Sequence, residues 1–462
     1  MGLSVKSCLI IVATNVLIAI YFLSTCRKDY DNYGNVSPTV LQIRENPRID
    51  NMFPIVFYKT AYIDYRYTPR RLRVFSMNPC VTPEEFIVAE LVGNTTKRVK
   101  MRGEPTEGEC PWHWASQCLY NSYIWTAELG EDREDWKTIH LKLSNHTVSL
   151  DIREVRRKRK KGLTVCVQPV YWYSEFHNIA LFIEGWRAQG ATRFVVYFHS
   201  STKEVRKMLE HYNGLGILEL KPWPSFGNLS RTVSSHFRFP SFDSSTYRVG
   251  HTLAQNLCVL EMETELGAVA DFDELMVVEG GNLRETSRRM LKANSVGALS
   301  FSHLLVKFQP KISTLDYSGL QNPIFLNRTG PSKVLFNSSA VDVVVTHSIR
   351  KFIGDENTVQ APGQLLHYRH NSYTETVNEV NSPLKLFPTS TKYHIRRIEK
   401  TIRSVLGTSV APYNSTFLHV LNECISRIVG EGKCRSTVSY CQQWMEPLTD
   451  WVYEQTRGVF VV

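Results

Sequence analysis

Asp271 and Asp273 stand two residues apart in the stretch GAVADFDELMVV (267–278), with Glu274 next in line. Carboxylates at i and i+2 on an extended turn face one side and approach a single hard cation together. Oxygen ligands suit Mg2+ or Mn2+, which keep some water and bridge substrate phosphates. A cation held there neutralises a diphosphate and helps it depart as a leaving group. A bare Asp-x-Asp is common by chance, so its setting has to decide. A plain acidic turn, with carboxylates capping backbone N–H groups, is one rival reading. A phosphatase-like motif with a nucleophilic first Asp is another. That motif calls for Gly and Thr after the second Asp, where this chain has Glu274 and Leu275.

The elements that must position these carboxylates are legible after residue 163. LTVCVQPVYW reads as a buried strand, and Phe176, Ile179, Ala180, Ile183 and Trp186 then repeat at helical spacing up to Gly190. RFVVYF (193–198) and GILEL (216–220) read as strands flanking a helix marked by Val205, Met208, Leu209 and Tyr212. Val249, Leu253, Leu257 and Leu260 mark a further helix, which leads through Gly267 into a strand ending at the carboxylates. Alternation at this spacing predicts an α/β domain with a mostly parallel sheet and flanking helices. Ligands of open α/β sheets bind at the carboxyl ends of the strands, where Asp271 and Asp273 then fall. Residues 53–155 contain short β-like runs such as EEFIVAELV and predict a β-rich subdomain ahead of it.

The rest of the chain bounds the setting. Cys8 to Leu23 carries no charge and spans roughly 24 Å as a helix. With its flanking residues it predicts a short transmembrane signal anchor over 8–25, with a cleaved signal peptide as the rival. Residues 1–7 then form a cytoplasmic tail and the turn-rich segment 26–52 a stem. Seven Asn-x-Ser/Thr sequons, at Asn35, Asn94, Asn145, Asn228, Asn327, Asn337 and Asn414, favour a luminal or extracellular body. Eight cysteines follow the anchor, and an even number fits disulfides in an oxidising compartment. Their pairing is open among 105 possibilities, and no spacing matches a zinc site. The net charge is +10, but without the basic run 156–161 it falls to +4, so no nucleic-acid partner is required. That run reads as a basic linker over 156–162, or as a processing site. The α/β domain is expected over 163–400 and a helical, Cys-containing segment over 401–462.

The ordered set VCVQPVYW, LFIEGWRAQGATRFVVYFHSS, LEHYNGLGILELKPW, LAQNLCVLEMETELGAVADFDELMV, KVLFN, VVVTHS and GQLLHYRH resembles glycosyltransferase family 92 over roughly residues 163–372. The resemblance implies a GT-A-like fold, a type II Golgi membrane protein and metal-dependent, inverting transfer of a hexose from a UDP-sugar. It also implies galactose as the sugar and fucose on an N-glycan core as the acceptor. Asp271 and Asp273 match the family's Mn2+ (or Mg2+) and donor-diphosphate motif. Glu274 matches the acidic residue after it, either a ligand or a support of the turn. His367 is the candidate third metal ligand, with His347 the alternative, and Arg369 is a candidate phosphate clamp. Lys333 matches a family lysine on the donor side.

The family usually has Asp before the cysteine at 258, where this chain has Leu257, so local packing or a donor-side hydrogen bond should differ more than metal binding. Inverting transfer needs a general base for the acceptor hydroxyl. Asp316 is the candidate, with an ordinary turn aspartate as the competing reading. The aromatic stretch from Trp223 to Phe242 is a candidate acceptor wall or plain core. A catalytically silent glycan-binding membrane protein on the same fold is the alternative to an enzyme.

Overall fold

The computed structural model describes residues 55–462 except 81–85, 131–134, 144–145, 227–241, 294, 309–315, 329, 369–377 and 409–414. The expected tail, anchor and stem lie outside the described residues, as do Arg369, Phe237 and Phe239. Among the described residues no helix is long and apolar enough to cross a membrane.

The described residues of 55–155 form a mainly antiparallel layer, with Thr60–Asp64 parallel to Thr147–Val155, and its strands alternate buried and exposed positions, as Phe86–Val92 does along one face. The strand pairings close on themselves. Thr60–Asp64 pairs with Thr147–Val155 on one side and with Arg71–Pro79 on the other, which joins the two ends of a seven-strand path. Closure leaves those strands without open edges. Leu72, Val74, Ala89, Met101, Trp125 and Ile139 fill the inside. The last strand of the chain, Phe460–Val461, pairs with Val56–Tyr58 and ties the C-terminus to this layer.

The site is built on the second sheet. Of its ten strands, those used below are β1 (Lys160–Val170), β2 (Arg193–Phe198), β3 (Leu218–Pro222), β4 (Thr264–Ala270), β5 (Glu274–Val278), β6 (Val296–Phe308), β7 (Lys333–Asn337) and β8 (Asn357–His367). The helices used below are α1 (Phe176–Ala188), α2 (Lys203–Gly214), α3 (His251–Glu261) and α4 (Thr391–Leu406). β3, β2, β1 and β4 run parallel in that order. Beyond β4 the sheet turns antiparallel through β7 and β6. The expected mostly parallel sheet is therefore a mixed one. The chain passes from β5 to β6 through the helix Leu283–Met290, and β7 then inserts between β4 and β6, antiparallel to both.

Packing explains why these segments fold as they do. The buried face of α1 runs through Phe176, Ile179, Ala180, Phe182, Ile183 and Trp186, and this helix packs on β5 and α4. Gly267 in β4 admits its neighbours closely: an added Cβ there would meet Met262 and Phe336 atoms at 2.6 Å.

Three boundaries differ from expectation. β1 begins at Lys160, so the last two residues of the basic run, Lys160 and Lys161, are strand. Its Lys160 N–H donates to Glu263 O and Arg159 donates to Met262 O. α4 spans the expected boundary at 400. Residues 53–462 form one compact unit. The buried guanidinium of Arg66, for example, donates to Ser338 O and Val341 O across the two layers.

The eight cysteines pair as Cys80–Cys110, Cys118–Cys434, Cys166–Cys258 and Cys424–Cys441. Of the sequons with described asparagines, Asn94 and Asn327 are exposed, while Asn337 is half-buried and accepts from Ser339 N–H.

Candidate active site

β4 ends at Ala270, level with the carboxyl ends of the parallel strands, and Asp271-Phe272-Asp273 forms the turn into β5. The alternation decides which way each residue points. Phe272 is buried against Phe182 and Tyr173, with ring centroids 5.1 Å and 5.3 Å away. The two flanking aspartates are thereby turned outward. Tyr368 locks the turn from the other side: its N–H donates to Asp273 O and its hydroxyl to Phe272 O.

Glu274 supports the turn from within. Its side chain is buried and accepts from Asp271 N–H at 2.9 Å, while its own N–H donates to Asp271 O at 3.0 Å. Burial pushes its carboxyl up to about 7, against the pull of Lys333. Of the two roles left open for Glu274, the geometry gives it the supporting one.

Lys333 reaches the turn by strand register. β7 pairs antiparallel with β4, Ala268 opposite Leu335, and two residues further on the same register brings Lys333 level with Ala270. Its buried ammonium lies 3.2 Å from Asp271 Oδ2 and 3.3 Å from Glu274 Oε2. Burial works to lower its pKa, but the two carboxylates hold it above the usual lysine value.

His367 also arrives by register, opposite Glu274 where β8 pairs with β5. Its Nε2 is 3.0 Å from Asp273 Oδ2 and its Nδ1 is 2.8 Å from His303 Nε2. The aspartates are thus held differently, Asp271 by Lys333 and Asp273 by His367. Among the described residues no three His, Cys, Asp or Glu already converge as a metal cage. The donor set nevertheless fits a hard to borderline cation. Asp273 Oδ2 and His367 Nε2 face one point, and the Asp271 side chain, 41% exposed, stands on the same turn. Carboxylate oxygen with imidazole nitrogen suits Mn2+, and such ions take their remaining ligands from water and phosphates.

The other sequence candidates separate. His347 is exposed beyond the strand Val341–Val345, with Nδ1 on Ser332 O. Partial desolvation of its ring and nearby Lys333 lower its pKa, and Asp271 is among the charges it feels. Asp316 caps a turn: its Oδ1 accepts from Ser318 N–H at 2.9 Å, and that bond holds its carboxyl below the usual range. That bond engages the Asp316 carboxylate in its own turn, as the turn reading expects. Trp223 is fully buried and donates to Val249 O, and so belongs to the core. Leu257 is fully buried too, and apolar packing takes the place of the family's aspartate.

Two functional candidates carried no sequence signal. His303 lies on β6 within an apolar run, and only the pairing of β6 with β8 brings it to His367. Arg248 sits in a segment of left-handed backbone, with φ 41° at Arg248, 58° at Val249 and 70° at Gly250. A β-branched residue at positive φ is uncommon, and such strain concentrates at functional sites. Burial opposes the charge of Arg248, while Tyr171, Tyr247 and Asp271 favour it. Arg248 is thereby a candidate second cation for the site, since Asp271 is among the groups that favour its charge.

Comparison with known proteins places this geometry. No curated protein sequence matches the chain significantly. Among solved structures, it is similar to the mannosyltransferase PcManGT from Pyrobaculum calidifontis in complex with GDP-Man and Mn2+, at 12% identity over 63% of this chain and 88% of that one, TM-score 0.26. It is also similar to glucosyl-3-phosphoglycerate synthase from Mycobacterium tuberculosis in complex with Mn2+, UDP and glucosyl-3-phosphoglycerate, at 9% identity over 54% and 82%, TM-score 0.24. S. aureus TarS 1-349 matches at 14% identity over 38% of this chain and 47% of its own, about half its length, TM-score 0.20. At such scores these likenesses fix neither fold nor ligand. The sequence family does more: residues 161–406, over half of the chain and all of the site, match the model of glycosyltransferase family 92. The chain belongs to glycosyltransferase family 92 and is a glycosyltransferase.

Proposed function

We propose that this glycosyltransferase moves a hexose, galactose in the first instance, from a UDP-sugar to a glycan acceptor such as fucose on an N-glycan core, with inversion. The observation that carries the reading is the Asp271-Phe272-Asp273 turn at the carboxyl end of β4 with His367 in register beside it. Asp271, Asp273 and His367 would hold Mn2+ or Mg2+. When bound, the cation offsets the diphosphate charge that grows as the sugar–oxygen bond breaks. Lys333 and Arg248 supply fixed positive charge on the Asp271 side, where a diphosphate oxygen gains most from it. Phe272, Tyr368 and Glu274 keep the turn rigid, so the carboxylates need no rearrangement as charge develops. Arg369, two residues beyond His367, is retained as a second phosphate-binding candidate on its sequence position.

The uncharged segment 8–25, the sequons and the four disulfides support a single-pass type II protein of the Golgi with its body in the lumen. The test is a donor screen. Purified full-length protein is given UDP-galactose, UDP-glucose, UDP-N-acetylglucosamine and GDP-mannose with an N-glycan array, in Mn2+ or in EDTA. Nucleotide release and product mass are then read. Transfer from one UDP-sugar in Mn2+ alone, lost in Asp271→Asn and Asp273→Asn, is expected. Wild-type protein that binds glycan without metal and releases no nucleotide from any donor would establish the glycan-binding alternative instead.

A further inference from the structure

His303 on β6 and His367 on β8 meet edge to face, ring planes 89° apart and centroids 5.0 Å apart. β6 and β8 run parallel with His303 opposite Leu365 and Leu305 opposite His367, so both imidazoles project from the same face two residues apart. The far side of His303 is fixed. Its Nδ1 lies 3.2 Å from Arg328 O. Its ring rests against Gly330, where an added Cβ would meet ring atoms at 2.8 to 3.0 Å.

Proton positions follow from that carbonyl. A carbonyl oxygen only accepts, so His303 Nδ1 carries the hydrogen, and a neutral ring then has only a lone pair at Nε2. His303 Nε2 is 2.8 Å from His367 Nδ1, so Nδ1 must be the donor there. The hydrogen of a neutral His367 is thereby placed on Nδ1, and its Nε2 lone pair faces Asp273 Oδ2 at 3.0 Å. Two acceptors at that distance repel unless a proton or a metal ion joins them, and a bound metal takes the place of the proton.

We propose that His303 is a positioning residue which, through the chain Arg328 O, His303, His367, fixes the tautomer of His367 so that Nε2 is presented to a divalent cation shared with Asp273. The inference rests on the metal reading above and adds what sets the ligand's orientation. A metal-bound imidazole usually passes its other N–H to a carboxylate, a carbonyl or water. Here a second imidazole stands between the ligand and the carbonyl. The carbonyl cannot reverse its role, so the whole chain has one direction.

The experiment titrates Mn2+ alone into full-length protein and reads free Mn2+ by electron paramagnetic resonance. Wild type, His303→Leu, His303→Gln and Gly330→Ala are compared, with folding checked by circular dichroism. His303→Leu leaves His367 Nδ1 without its acceptor and should weaken Mn2+ binding about 10- to 100-fold. His303→Gln restores an acceptor oxygen and should stay within about threefold of wild type. Gly330→Ala displaces the His303 ring without changing its chemistry and should also weaken binding. It carries the test if His303→Leu does not fold. Equal affinity in wild type and in His303→Leu or Gly330→Ala overturns the inference, as does a His303→Gln variant that binds no better than His303→Leu. Wild-type protein that binds no Mn2+ removes the metal reading itself, a separate outcome.

Discussion

Lys333→Met tests whether the buried ammonium has two roles, holding the turn together and binding the donor. Lys333 is buried, 3.3 Å from Glu274 Oε2 and 3.2 Å from Asp271 Oδ2. At an effective dielectric of about 20, unit charges at such a separation attract by about 5 kcal/mol before desolvation is counted. Asp271 is 41% exposed, so solvent screens its share, and Glu274 dominates. Removing one partner of a buried pair strands the other, which costs about 3–5 kcal/mol in general. Lys333→Met should therefore lower stability by that amount in urea denaturation at pH 7.5. Adding Glu274→Gln removes the stranded charge and should recover more than half of the loss. The double variant is then folded but lacks the cation, and its KM for the UDP-sugar should rise by about tenfold, close to the lower bound for a hydrogen bond to a charged group. A single variant within about 1 kcal/mol of wild type would refute the stability argument. A double variant with unchanged KM would refute the donor role while leaving the structural one intact.

Two further outcomes follow from features away from the turn. Burial lowers the pKa of His199 to about 4, so between that value and about 6.5 the unfolded chain binds a proton that the folded chain does not. Stability from this residue is present above pH 6.5 and lost as pH falls toward 4. The loss is about 3 kcal/mol at most, read as the difference between thermal melts of wild type and His199→Gln across that range. An identical pH slope in both would exclude the effect. Cys118–Cys434 closes a loop of 316 residues between the first layer and the C-terminal helices. Replacing both cysteines by serine should cost about 2–5 kcal/mol. Unchanged denaturation midpoints under non-reducing conditions would show that the remaining contacts hold the two ends alone.

The Asp271-x-Asp273 turn was legible because everything that defines it is local. An apolar strand, a change to carboxylates and a return to apolar residues occupy twelve positions, and the preceding helices and strands announce themselves by period. Local pattern also explains Phe272: its place between two charged residues makes it the one that turns inward. What the sequence did not carry is relation across distance. The antiparallel half of the sheet depends on how the chain returns after β5, and β7 reads the same as a parallel strand would. Closure of the first layer rests on Thr60–Asp64 meeting Thr147–Val155, two segments with no mutual signal. The basic run looked like a linker because charge suggests solvent. Yet Lys160 and Lys161, both exposed, begin the strand that carries LTVCV.

The same distinction explains why the partners of the aspartates divided as they did. Lys333 and His367 were found through the family's ordered motifs, not through any property of their own neighbourhoods. Register then gives each its partner: β7 brings Lys333 to the Asp271 side, and β8 brings His367 to the Asp273 side. His303 stands on a strand between them in the sheet, since β6 pairs with both β7 and β8. A shift of one residue in either pairing would move the corresponding side chain to the opposite face of the sheet. The site therefore depends on two strand registers as much as on its carboxylates. The antiparallel pairings of β7 with β4 and of β8 with β5, the feature that sequence periodicity missed, are what set Lys333 and His367 on the two sides of one acidic turn.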